Sequence, residues 1–170
     1  LIDQWKYEIE YWWRLLRVFV LHSSYLARDQ TRKEIIESAI ESNAVLITSY
    51  GTLEAEKHNI IPFFEPLCAI LDEGHRIKSP KAGRTIVCKS IKTENRLILT
   101  GSPIQNNLRE LWCLFDFVMP GKLGPDAVFR STFERIISLG DNPDATKSQI
   151  MAALHCTIKL RDIISPYLLR

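Results

Sequence analysis

The sequence predicts an α/β fold: a parallel sheet with flanking helices, followed by a helical C-terminal part. Three observations carry this. Short apolar runs alternate with amphipathic helical patterns as far as about residue 125. The run Leu67-Cys68-Ala69-Ile70-Leu71 is apolar without alternation, as expected of a strand covered on both faces of a parallel sheet. From Asp126 onward only helical periodicity remains.

The elements follow in order. Asp3 is expected to cap a first helix with Trp5, Ile9, Trp12 and Trp13 on its inward face. Val18–Leu21 reads as a strand. Asp29 is expected to cap a second helix, with Ile35, Ile36, Ala39 and Ile40 inward and Asn43 near its end. Val45–Ile47 is the next strand and delivers Thr48-Ser49-Tyr50-Gly51 into a loop. After the strand Leu67–Leu71, Ser79-Pro80 has the form of a helix cap followed by a first-turn proline. Leu97–Leu99 is a fourth strand. Leu108, Leu111, Trp112 and Phe115 then fall at i, i+3, i+4 and i+7 of a core helix that Pro120-Gly121 stops. Helical patterns over Asp126–Ile137 and Thr146–Ile164 complete the chain, separated by the loop 140–143.

The 170 residues suffice for one domain with a core, and 46% hydrophobic with 25% charged residues is an ordinary globular balance. A net charge of +2 decides nothing about nucleic acid, because a basic stripe can sit on a neutral background. The four cysteines, Cys68, Cys88, Cys113 and Cys156, form no C-x-x-C pair, and reduced, buried thiols are expected. No stretch has the length of a membrane span and no signal peptide is visible, so no membrane partner is expected. The chain opens at Leu1 without a methionine and is expected to be a piece of something longer.

Chemistry is expected at the carboxyl ends of the strands of such a sheet. Asp72-Glu73-Gly74-His75 lies at one. Two adjacent carboxylates there can divide the work of nucleotide hydrolysis, one holding Mg²⁺ beside the phosphates and the other activating water. Taken alone, the tetrapeptide reads equally well as a solvated acidic turn with a satisfied histidine. A second strand end carries Leu99-Thr100-Gly101-Ser102-Pro103, then Ile104-Gln105-Asn106. Its hydroxyls beside a glycine can bond a phosphate and a neighbouring side chain, or cap the core helix that follows.

The spacing of these two loops resembles motifs II and III of helicase superfamily two, in its Swi/Snf branch. Gln4-Trp5-Lys6-Tyr7-Glu8 is similar to the segment after motif Ia, and Val45–Tyr50 to motif Ib. His75-Arg76-Ile77-Lys78 resembles the basic extension of motif II, with Ser79 where asparagine is usual. Pro166–Arg170 is similar to the segment that closes the first lobe. Residues 120–124 and 160–167 look most like the Cockayne syndrome group B subfamily, which works in transcription-coupled excision repair.

The resemblance implies a partial RecA-like, P-loop NTPase lobe over 1–125 and a helical extension toward lobe two over 126–170. It implies ATP and Mg²⁺ as cofactors. Asp72 would help hold Mg²⁺ through water, and Glu73 would be the catalytic carboxylate. Asp72, His75 and Gln105 would meet the nucleotide, and His75, Gln105 and Thr100–Ser102 would couple it to DNA. Thr48, Ser49 and Tyr50, with Thr100, Gly101 and Ser102, would line the DNA track. Arg76 and Lys78 would add backbone contacts, or are simply solvated cations. The implied partners are double-stranded DNA, the second motor lobe, and RNA polymerase II or nucleosomes, in the nucleus.

Among the seven glycines there is no G-x-x-x-x-G-K-[ST]; Gly121-Lys122 runs on into Leu123. The phosphate-gripping Walker A loop and its strand are therefore missing, as is the arginine finger of lobe two. The chain alone is expected to be inactive, its parent an ATPase. Without the Walker A and motif Ia strands, two separate parallel pairs are expected: Val18–Leu21 with Val45–Ile47, and Leu67–Leu71 with Leu97–Leu99. Two alternatives stand beside this: an RNA-directed DExH helicase lobe, against which the long helix after motif III and Pro120-Gly121 speak, and a non-catalytic module that docks partners, which the absent Walker A loop allows but the intact Asp72-Glu73 pair speaks against.

Overall fold

A computed structural model describes residues 1–26, 31–101 and 107–169. The chain divides into two compact units, one of residues 1–71 and 80–97, the other of 72–79 and 98–170.

In the first unit, α1 (Ile2–Trp12) packs on the strands β1 (Val18–Leu21) and β2 (Val45–Thr48). These pair in parallel, Val18 opposite Val45 through Leu21 opposite Thr48. The connection between them runs through α2 (Arg32–Glu41), which also packs on β1. After β2 come α3 (Tyr50–Ala55) and α4 (Lys57–Ile60), then β3 (Cys68–Leu71), α5 (Gly83–Lys89) and β4 (Asn95–Ile98). The described residues form two two-stranded sheets, β1-β2 and β3-β4. This is the expected division into separate pairs, and no ladder joins β2 to β3 among them.

Several expectations need correction here. Asp3 does not cap α1: Leu1 is the N-cap, and Asp3 sits in the first turn, where its charge suits the helix dipole. The tryptophan face is not inward. Trp12 and Trp13 are 67% and 65% exposed, whereas Ile2 and Ile9 of the same helix are half-buried. Asp29 lies outside the described residues; α2 is capped by Thr31 in a capping box with Glu34. Ile35, Ile36 and Ala39 are buried as expected, but Ile40 is exposed. Strand β3 is not covered on both faces: Ala69 and Leu71 are buried, whereas Cys68 and Ile70 are exposed. Helix α5 begins at Gly83, not at Ser79-Pro80, and has no side-chain cap. All four cysteines are free; Cys88 and Cys113 are buried, Cys156 is half-buried and Cys68 is exposed.

In the second unit, the turn Gly74–Ile77 packs against α6 (Leu108–Val118). Helix α6 is capped by the Asn107 carboxamide and ends before Pro120. Its apolar stripe is the core: Leu111, Trp112 and Phe115 are buried together with Leu123, Phe129, Leu160 and Ile164. The Trp112 indole N–H donates to the Gly124 carbonyl at 3.0 Å, so its one polar atom is satisfied. The pattern predicted from Asp126 is broken into α7 (Asp126–Phe129), one π-turn (Arg130–Glu134) and α8 (Arg135–Gly140). Then α9 (Lys147–Ile164) starts at a Thr146–Gln149 capping box and packs along α8. Among the described residues no helix is long and apolar enough to cross a membrane.

Candidate functional site: an acidic turn at a strand end

Strand β3 ends at Leu71, and the chain turns at once through Asp72 and Glu73 into a single 3₁₀ turn. Glu73 holds φ 51° and ψ 51°, a left-handed conformation uncommon for a residue with a side chain. Such strain persists only where surrounding contacts over-determine it, and it clusters at functional sites. Here the contacts are specific. The Asp72 Oδ1 accepts the Glu73 amide at 2.9 Å, and the Gly74 amide donates to the Leu99 carbonyl at 3.0 Å. Gly74 is buried and Ile77 is fully buried, pinning the far end of the turn.

The turn therefore brings together the two predicted carboxylates and the start of the second predicted loop. Asp72, Glu73 and His75 are half-buried, so the carboxylates are neither lost in the core nor wholly solvated. His75 Nδ1 lies 3.2 Å from Glu73 Oε2. Thr100 and Gly101 follow Leu99 and are exposed; Ser102 and Gln105 lie outside the described residues. Arg76 and Lys78 are exposed on the same turn and just after it. No cluster of three or more His, Cys, Asp or Glu groups fit to hold a metal occurs among the described residues. The metal expected of this site is Mg²⁺ bound largely through water, which needs only one or two carboxylates.

Thr48, Ser49 and Tyr50 belong to the first unit and form a different arrangement from the loop expected of them. Thr48 ends β2 and donates its hydroxyl to the Leu21 carbonyl at 2.9 Å. Ser49 caps α3: its Oγ accepts the Thr52 amide at 3.1 Å and bonds the Thr52 hydroxyl at 2.9 Å. Tyr50 and Gly51 are the first turn of α3. Arg84 of α5, which no sequence pattern singles out, lies over the Tyr50 ring with its Cζ 5.7 Å from the centroid. The two are far apart in the chain and on different helices, so only the packing of α3 on α5 brings them together.

The fold and this turn define a class. The chain has the RecA-like architecture of a SWI2/SNF2 ATPase core, matching the solved structure of the "Sulfolobus solfataricus SWI2/SNF2 ATPase core in complex with dsDNA". The TM-score is 0.73 at 28% identity, over 99% of this chain and 31% of that one. The chain belongs to the SNF2-related domain family, whose description matches residues 1–170. It is 42% identical to human DNA excision repair protein ERCC-6 over 171 residues, covering 99% of this chain and 11% of that protein. It is 36% identical to DNA repair and recombination protein RAD26 of Saccharomyces cerevisiae over 211 residues, covering 99% of this chain and 19% of that protein. The chain thus spans between about a tenth and a fifth of the length of these relatives.

Proposed function

We propose that the chain is part of the first motor lobe of an ATP-dependent double-stranded DNA translocase, working in the nucleus in chromatin remodelling or transcription-coupled repair. The observation that carries this is the strained acidic turn Asp72-Glu73, tied to the end of β4 by the Gly74–Leu99 backbone bond. The repair names of the human and yeast relatives, and the duplex DNA in complex with the similar archaeal core, support the same reading.

The donor set fits the expected ion, since Mg²⁺ takes hard oxygen ligands and few protein carboxylates. Asp72 would hold it through water, and the ion would neutralise charge developing on the transferred phosphoryl group. Glu73 orients the attacking water and accepts its proton. Asp72, His75 and Gln105 meet the nucleotide. Thr100, Gly101 and Ser102 join the nucleotide side to the DNA side, and Thr48, Ser49, Tyr50, Arg76 and Lys78 contribute to the DNA track. Phosphate contacts suit a tracking motor because they carry no sequence information. Residues 1–125 belong to the ATP-binding lobe and 126–170 to a helical extension of it. The chain lacks the glycine-rich lysine loop that grips phosphates, so the 170 residues alone turn over no ATP. The second motor lobe, and RNA polymerase II or nucleosomes, are its partners.

The test is Glu73→Gln in the full-length protein. ATP binding should stay nearly intact while DNA-stimulated turnover falls by about 10² or more, because only the water-positioning group is lost. Collapse of ATP affinity with turnover preserved would overturn the role of Glu73. DNA-stimulated turnover by the isolated chain, abolished by the same substitution, would overturn its inactivity.

A further inference from the structure

We propose that Arg84 is a phosphate contact of the DNA track, a cation that the Tyr50 ring presents to the backbone of duplex DNA. The inference rests on the DNA-tracking reading above and adds a residue to it. Its ground is how little the Thr48–Tyr50 segment has to offer by itself. A phosphate needs donors, and the Thr48 hydroxyl already donates to Leu21 while Ser49 Oγ caps α3 and bonds Thr52. Neither brings a positive charge. Arg84 supplies one at the same place: its guanidinium carbon is 5.7 Å from the Tyr50 centroid, and the residue is half-buried.

The geometry suits an anion. A guanidinium over a ring face within about 6 Å is held there by the ring quadrupole and keeps N–H donors for a phosphate. Its Nε is buried without a hydrogen-bond partner, so no polar contact at that atom competes for the guanidinium. A Cβ on Gly83 would come 2.3 Å from Glu54 Oε1, the mobile end of a flexible side chain, so it is the contact of α5 with α3 that places Arg84 over Tyr50.

The experiment is duplex-DNA binding by the full-length protein, followed by fluorescence anisotropy over a salt series with a probe of arbitrary sequence. Arg84→Gln and Arg84→Ala should weaken binding about tenfold and reduce the slope of log affinity against log salt by about one, equally for unrelated sequences. Arg84→Lys keeps a charge without the guanidinium fork, and should lose affinity while retaining the slope. An unchanged slope in both Arg84→Gln and Arg84→Ala overturns the proposal, even if affinity falls, because that assigns Arg84 to packing alone. So does a slope change seen on single-stranded RNA but not on the duplex. If the wild-type protein itself neither binds duplex DNA nor responds to it in ATP turnover, the translocase reading has failed, not the placement of Arg84 alone.

Discussion

Adding one methyl group at Gly74 should disrupt the acidic turn without touching a carboxylate. An ideal Cβ on Gly74 would stand 2.2 Å from Cγ2 of Ile98 and 3.5 Å from its Cβ. Carbon atoms settle at about 3.5–4.0 Å, so the two groups must part by more than an ångström. Ile98 cannot easily swing aside, because it is β-branched and closes strand β4. The strain must then move the turn, stretching the Gly74–Leu99 bond and shifting Glu73 out of its left-handed geometry. Overpacking of this kind costs about 1–3 kcal/mol. We expect Gly74→Ala to lower the unfolding free energy by that amount in urea, and to lower DNA-stimulated turnover of the full-length protein about tenfold or more. Ile98→Ala removes the opposing Cγ2. In the double variant the two costs should therefore not add, with a coupling of at least about 1 kcal/mol and partial recovery of turnover. Strict additivity, or a Gly74→Ala protein of wild-type stability and turnover, would refute the steric argument.

Trp112 and Phe115 are 6% and 5% exposed in the core of the second unit, so Trp112→Ala and Phe115→Ala should each cost about 3–5 kcal/mol in urea unfolding. Loss of ATP affinity at unchanged stability would instead give these rings a nucleotide role. Burial pushes the Cys88 thiol from 9.0 up to about 12, partly opposed by Arg84, so the folded chain keeps this proton where the unfolded chain releases it. The contribution of Cys88 to stability should therefore be constant with pH below about 9 and be lost between 9 and 12, so that stability falls more steeply there in the wild type than in Cys88→Ala, a comparison that cancels the lysine and tyrosine titrations. Parallel curves for the two proteins would remove Cys88 as the cause.

The strands and long helices were legible because each is written locally. Leu108, Leu111, Trp112 and Phe115 trace one helical stripe, and Thr146 with Gln149 marks a helix start in four residues. Covering is a different matter. Periodicity says which residues share a face, not whether another element lies on that face, and so the exposure of Trp12, Trp13, Ile40 and Ile70 could not be read. The α2 cap was legible and missed: Thr31-x-x-Glu34 is a capping box, a stronger signal than Asp29. Ser79-Pro80 has the form of a helix start, yet α5 begins only at Gly83. At the site, the acidic turn is contiguous and was legible, whereas the Arg84–Tyr50 contact depends on how two short helices pack.

The conformation of Glu73 ties fold to chemistry. A left-handed residue with a side chain costs about 1–3 kcal/mol, and glycine at that position would relieve it. Glycine instead occupies the next position, where φ is not positive but the side chain of Ile98 leaves no room for a Cβ. The chain thus spends its one glycine of the turn on close packing and leaves the strain on the carboxylate. The strain therefore falls on a residue that carries a carboxylate, at the point where the chain leaves the strand. Its backbone amide is held by Asp72, the next amide by Leu99, and the far end of the turn by fully buried Ile77. Each of these anchors lies outside the Glu73 side chain. The strain is thereby offset by backbone bonds and burial, and the carboxylate itself stays half-buried at the end of β3, where a water molecule can reach it.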